Sequence, residues 1–175
     1  MWKASCARPG RPELCRTNPN AKTISNEELA GLMQEVFAQG GMFRFLPTGT
    51  SMQPMLYERR DAVLLCSPEK RPPKKYDVVL YRRENGQYVL HRIVGGGREG
   101  YLLCGDHQYG LERNIREEQI IGVLARFERK GRQVSVDSLP YRWYAAAWTA
   151  LRPIRRIASS VFHKLRRFFH GKRSS

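Results

Sequence analysis

A serine hydroxyl becomes a nucleophile only beside a base that takes its proton and a donor that receives the oxyanion. Ser51 is placed for such chemistry. It lies in Leu46-Pro47-Thr48-Gly49-Thr50-Ser51-Met52-Gln53-Pro54-Met55-Leu56, a short polar turn after an expected strand over residues 42–46. Gly49 lets the backbone approach a substrate carbonyl, so that a main-chain N–H can face the oxyanion. Met52, Met55 and Leu56 add apolar surface suited to an extended hydrophobic peptide, and Met52, Met55, Phe43 and Phe45 are candidates for groove walls or for core. A surface turn in which Ser51 only hydrogen-bonds its neighbours has the same composition. His91 is the candidate base, since imidazole titrates near neutral pH. It stands forty residues beyond Ser51 on an expected strand, on one face with Val89 and Ile93. A core histidine with a satisfied hydrogen bond is the alternative.

The elements that must hold these residues are legible as periods and turns. Ser25-Asn26-Glu27-Glu28 is a capping box, and Leu29, Leu32, Met33, Val36 and Phe37 recur at helical spacing until Gly40-Gly41 stops the helix. Residues 61–66, 76–83, 87–94, 101–104, 120–127 and 133–136 read as strands. Asn85-Gly86 predicts a type I′ hairpin turn, and a two-residue turn would set Leu80 opposite His91. Gly95-Gly96-Gly97 is expected to turn the chain into the strand at Tyr101, and it lacks the lysine and following helix of a phosphate loop. The body is therefore expected to be mainly antiparallel β. At 175 residues the chain suits one domain with a true core.

Gly49-Thr50-Ser51-Met52-Gln53-Pro54, Arg60-Asp61-Ala62-Val63, Lys75-Tyr76-Asp77-Val78-Val79, His91-Arg92 and Gly105-Asp106 follow one another in an order that resembles the signal peptidase and LexA-like serine peptidases. The resemblance spans residues 43–122 and is nearest to the histidine-using signal peptidase branch. It implies a mainly β fold, with an antiparallel LexA/signal-peptidase-like body, an N-terminal helix and a C-terminal amphipathic helix. It implies Ser51 as nucleophile, His91 as general base and Asp106 as a supporting acid, with Glu112 nearest the place of a second acid. Either carboxylate could hold the imidazole tautomer, and both stay open. Thr50 and Gly49 depart from the signal peptidase pattern before the serine, so main-chain N–H groups are the expected oxyanion donors. Tyr76 stands where glycine often precedes Asp77, and the membrane span of such enzymes has no counterpart. The function implied is a serine endopeptidase acting on a leader or signal-like segment of a peptide or protein. The alternative from another class is a non-catalytic binding or regulatory module with this fold. A self-cleaving LexA-like regulator is a further variant, without an apparent DNA-binding helix-turn-helix before the β body.

Charge divides the chain into three. Residues 1–22 carry five basic and one acidic side chain, residues 23–137 seventeen and fifteen, and residues 138–175 nine and none. The first segment reads as a flexible basic arm, the second as the β domain, and the third as a basic amphipathic helical tail. In that tail Ile154, Ile157, Ala158, Val161, Phe162, Leu165, Phe168 and Phe169 recur at three- and four-residue steps after Pro153, among five arginines and lysines. Residues 153–170 are thus expected to meet an anionic membrane surface, with Trp143, Tyr144 and Trp148 as interfacial residues. Packing of the apolar stripe on the β body, arginines outward, is the alternative. Nucleic acid is disfavoured, for no recognition motif accompanies the charge. No apolar run approaches the ~20 residues of a membrane span, and no secretory signal is evident, so a cytoplasmic location is expected, peripheral at the inner face of the membrane. Cys6, Cys15, Cys66 and Cys104 are scattered and expected as free thiols. Cys104-Gly105-Asp106-His107 lacks a second Cys/His pair, so no structural zinc is expected, and nothing calls for a nucleotide or redox cofactor.

Overall fold

The structure is a computed structural model that describes residues 3–4, 26–97 and 99–157. Its centre is an antiparallel sheet of nine strands. The strands are β1 (Lys3–Ala4), β2 (Phe43–Leu46), β3 (Ala62–Cys66), β4 (Val78–Arg82), β5 (Tyr88–Gly97), β6 (Gly100–Cys104), β7 (Glu112–Ile115), β8 (Ile120–Arg129) and β9 (Arg132–Ser135). Their order is β1-β2-β3-β8-β4-β5-β6-β7, with β9 also on β8. Two helices complete the fold, α1 (Asn26–Ala38) and α2 (Leu139–Ala150), and residues 152–157 are again helical. The mainly β class is the one expected. No helix among the described residues is long and apolar enough to cross a membrane.

Alternation along the central strands makes two cores, one on each face. Leu29 and Met33 of α1 join Phe43, Phe45, Leu65, Leu80, Leu90, Leu124, Phe127 and Tyr141 in the larger. Val79, Tyr81, Ile93, Leu103, Ile115 and Val123 form the smaller. Adjacent residues of β5 thus look in opposite directions: His91 toward the smaller core, Arg92 toward the larger.

The hairpin that carries His91 differs from expectation by one residue. Val79 lies opposite His91, and Leu80 opposite Leu90. Gly86 has φ of 80°, but Asn85 is not in the left-handed region that a type I′ turn demands of both central residues. The turn instead closes from Gly86 N–H to the Arg83 carbonyl at 2.9 Å, and Arg83 N–H bonds the Gln87 carbonyl at 2.8 Å. The Asn85 side chain accepts the Gln87 N–H at 3.1 Å, which holds this three-residue loop. Glycine takes the single left-handed position without the penalty of a Cβ.

Three other expectations change. Gly95, Gly96 and Gly97 are not a turn; they extend β5 and pair with Leu102, Tyr101 and Gly100. Glu112–Ile115 forms a strand that the sequence did not announce, because Glu-Arg-Asn-Ile has no apolar alternation. Within the expected basic arm, Lys3 and Ala4 pair with Leu46 and Phe45. The remainder of that arm, Ser25 of the capping box, Cys6 and Cys15, and residues 158–170 of the tail lie outside the described residues. Cys66 and Cys104 are buried free thiols.

Candidate active site

β2 delivers the chain to a compact turn at residues 51–55. Gln53 N–H bonds the Thr50 carbonyl at 3.1 Å, Leu56 N–H bonds that of Met52 at 2.9 Å, and the Gln53–Pro54 peptide is cis. Met52, Met55 and Leu56 are buried beneath the turn, which anchors it while Ser51 stays half-buried at its rim. Asp61, fully buried, accepts the Tyr57 N–H at 3.0 Å and closes the returning chain before β3.

A cleft of about 390 Å³ opens here, and both Ser51 and His91 line it, with Gly49, Met52, Arg83 and Gln108. Of the expected wall residues Met52 does line the cleft, whereas Phe43, Phe45 and Met55 are core. Gly49 is in place, but its N–H donates to Glu58 Oε2 at 2.9 Å and so is already engaged.

His91 is 1% exposed. Its Nε2 is buried and has no hydrogen-bond partner among the described residues. Its Nδ1 lies 3.1 Å from the Tyr81 hydroxyl and 3.4 Å from Glu112 Oε1. Burial drives the imidazole pKa down to about 4, against the attraction of Glu112 and with the repulsion of Arg83. The neutral ring is therefore the resting form at pH 7. Glu112 is itself fixed: Arg83 Nε donates to Oε2 at 2.9 Å and Arg83 Nη2 to Oε1. Partial burial would raise the Glu112 pKa, but the hydrogen bonds of Arg83 and Tyr81 outweigh it and hold the carboxyl below its ordinary value.

The two candidate acids thus occupy different places. Glu112, on β7, reaches the imidazole. Asp106 does not: both its oxygens are taken by the buried Arg92 guanidinium, at 2.8 and 2.6 Å. Arg92 also donates to the Tyr76 carbonyl at 2.8 Å and to the Tyr141 hydroxyl at 3.2 Å, tying β5 to α2.

The loop around Asp106 nevertheless touches the serine. His107 N–H bonds the Ser51 carbonyl at 2.8 Å. Gly105 packs so closely that a Cβ there would stand 2.7 Å from the Ser51 carbonyl oxygen and 3.1 Å from His91 Nε2, so only glycine fits without a backbone shift. From outside, Trp148 Nε1 and Arg155 donate to the Asp106 carbonyl at 3.2 and 2.9 Å, and Arg152 donates to that of Tyr109 at 3.0 Å.

The sequence did not single out Tyr81 or Arg83, and it suggested Tyr144 and Trp148 as interfacial residues, whereas Tyr144 packs against the larger core and Trp148 docks on the Asp106 carbonyl. Arg83 and Tyr81 follow from the hairpin once its register is known, whereas no local signal marks Trp148 as a brace for the 105–109 loop. No family model matches the chain, and no curated protein or solved structure matches it.

Proposed function

We propose that the protein is a serine endopeptidase of the signal-peptidase-like type, with Ser51 as nucleophile and His91 as general base. The observation that carries this reading is the buried, neutral imidazole of His91, a residue that lines the same cleft as Ser51, with Nε2 unpartnered among the described residues and Nδ1 beside Tyr81 and Glu112. Ser51 Oγ attacks the peptide carbonyl carbon as its proton passes to His91 Nε2. The tetrahedral intermediate then expels the amine, which takes that proton as the C–N bond breaks, and water hydrolyses the acyl-enzyme by the same relay. With Gly49 engaged by Glu58, the main-chain N–H of Ser51 is the donor assigned to the oxyanion. Tyr76 supports the family likeness: it stands where glycine is frequent, and its φ of 80° is a conformation that glycine adopts freely.

The reading places the enzyme in the cytoplasm, against the inner face of a membrane, with a leader or signal-like segment as substrate. What supports the surface contact is an inverted helix. Tyr141, Ala145, Trp148, Arg152 and Arg155 face the body, while Leu139, Trp143, Ile154 and Ile157 are 69, 75, 62 and 66% exposed. Over residues 152–157 this reverses the packing alternative, since it is arginines that dock and isoleucines that face out. An outward apolar stripe within a segment of nine basic and no acidic residues fits an anionic lipid surface.

Labelling of the wild type, Ser51→Ala and His91→Ala with an activity-based serine probe, read by intact mass, tests the chemistry. Modification of the wild type alone is expected. A folded wild type that reacts no more than Ser51→Ala across several probe chemistries would refute the peptidase and leave a non-catalytic binding module.

A further inference from the structure

His91 Nδ1 has two neighbours, and proton counting decides between them. An ionised carboxylate only accepts hydrogen bonds, whereas a phenol donates one and accepts others. The Tyr81 hydroxyl is buried and lies 3.1 Å from Nδ1, the atom that Glu112 Oε1 also approaches, and burial together with that neighbouring carboxylate pushes the phenol pKa up. If Tyr81 donated to Nδ1, the imidazole proton would sit on Nε2. The Nδ1 lone pair would then face Glu112 Oε1 at 3.4 Å, acceptor against acceptor, and Nε2 could not take a proton from serine. If Tyr81 donates to Glu112, its oxygen is free to accept Nδ1–H, every proton has an acceptor, and Nε2 presents a lone pair to the cleft.

We infer that Tyr81 is a positioning residue that relays the charge of Glu112 to His91, in the order Arg83, Glu112, Tyr81, His91, and thereby fixes the Nδ1–H tautomer. Its kinetic consequence rests on the peptidase reading; the tautomer does not. When Nε2 accepts the serine proton, the imidazolium keeps Nδ1–H on Tyr81 and Tyr81 keeps its own proton on Glu112, so no proton leaves the relay. The charged groups that act on the ring are Glu112, Asp106 and Arg83. Arg83 grips Glu112 in a two-pronged pair, which keeps that carboxylate ionised and pointed at the phenol. The three strands involved explain the placement: β4 carries Tyr81 on the His91 face of the sheet, β5 carries His91, and β7 brings Glu112 in from the edge.

Long-range nitrogen-15 NMR of the imidazoles reads the tautomer directly, with His91→Gln assigning the signal among the four histidines. Wild-type protein at pH 7 is expected to show a protonated Nδ1 and a bare Nε2. Tyr81→Phe and Glu112→Gln should both move His91 toward the Nε2–H form. Both should slow serine-probe labelling roughly tenfold or more, with the probe's initial affinity unchanged. A proton on Nε2 in the wild type overturns the relay, and so does a Tyr81→Phe protein that keeps both the tautomer and the labelling rate. Should Tyr81→Phe fail to fold, Glu112→Gln decides alone, its unchanged tautomer and rate being the refuting result. A wild type with the Nδ1–H tautomer but no labelling refutes the peptidase while sustaining the relay geometry.

Discussion

The buried His91 ties stability to pH in a way that can be worked out in advance. In the unfolded chain its imidazole takes a proton near the ordinary value of 6.5, but in the fold burial holds it neutral until about pH 4. Above pH 6.5 both states are neutral at this site and the fold keeps its full stability. As pH falls from 6.5 to 4 only the unfolded state gains the proton, so stability is lost across that window, and below it no more is lost through this group. At about 1.4 kcal/mol per pKa unit, the loss amounts to roughly 3 kcal/mol in all, and roughly 2 kcal/mol by pH 5. Glu112, held below its ordinary value of 4.5, acts in the same direction but only at lower pH, so the range from 6.5 to 5 isolates the histidine. Urea unfolding of the wild type and His91→Gln between pH 8 and 5 measures this, and the variant should lack that part of the decline. The chemistry should follow the same titration, with probe labelling of the wild type nearly flat down to about pH 5. Parallel pH dependences of wild type and variant, or an NMR midpoint for His91 near 6.5, would refute the reasoning.

Two further outcomes follow from the geometry. Arg92 and Asp106 form an ion pair buried between β5 and the 105–109 loop, so Asp106→Asn should destabilise by about 3–5 kcal/mol in urea. Arg92→Met combined with Asp106→Leu should recover much of that loss, and a single variant within 1 kcal/mol of wild type, the roughly neutral range for surface changes, would contradict the assignment. On the outer face of the helical segment, Trp143→Ser with Ile154→Ser should leave urea stability within about 0.5 kcal/mol and weaken co-sedimentation of the full chain with anionic phospholipid vesicles. A wild type that ignores such vesicles, or a double variant that binds them equally, would remove the lipid surface from the proposal.

How far the site was legible in the sequence turned on one residue of register. Alternation along residues 88–94 correctly set His91 with Val89 and Ile93, because a strand's own faces need no knowledge of its partner. Its neighbour did need it. A two-residue turn at Asn85-Gly86 would pair Tyr81 with Leu90 and turn its ring away from His91, whereas the three-residue loop pairs Tyr81 with Val89 and brings ring and imidazole onto one face. A single shift thus hid the hydroxyl that lies 3.1 Å from His91 Nδ1. The choice between Asp106 and Glu112 was beyond sequence for a different reason. Both lie within reach of the same block, and what separates them is that Arg92, adjacent to His91 but on the opposite face, claims Asp106. Glu112 comes in on a strand with no alternating pattern, paired to β6 at Leu103. In the tail the period was visible and the direction of its stripe stayed open, because Arg152 and Arg155 dock through main-chain carbonyls of the 105–109 loop. Carbonyls leave no mark in a sequence. The same contacts join the inward face of α2 and its continuation to the Asp106 carbonyl, next to His107, whose N–H bonds the Ser51 carbonyl, so a surface that engages this helix would also bear on the segment that holds Ser51.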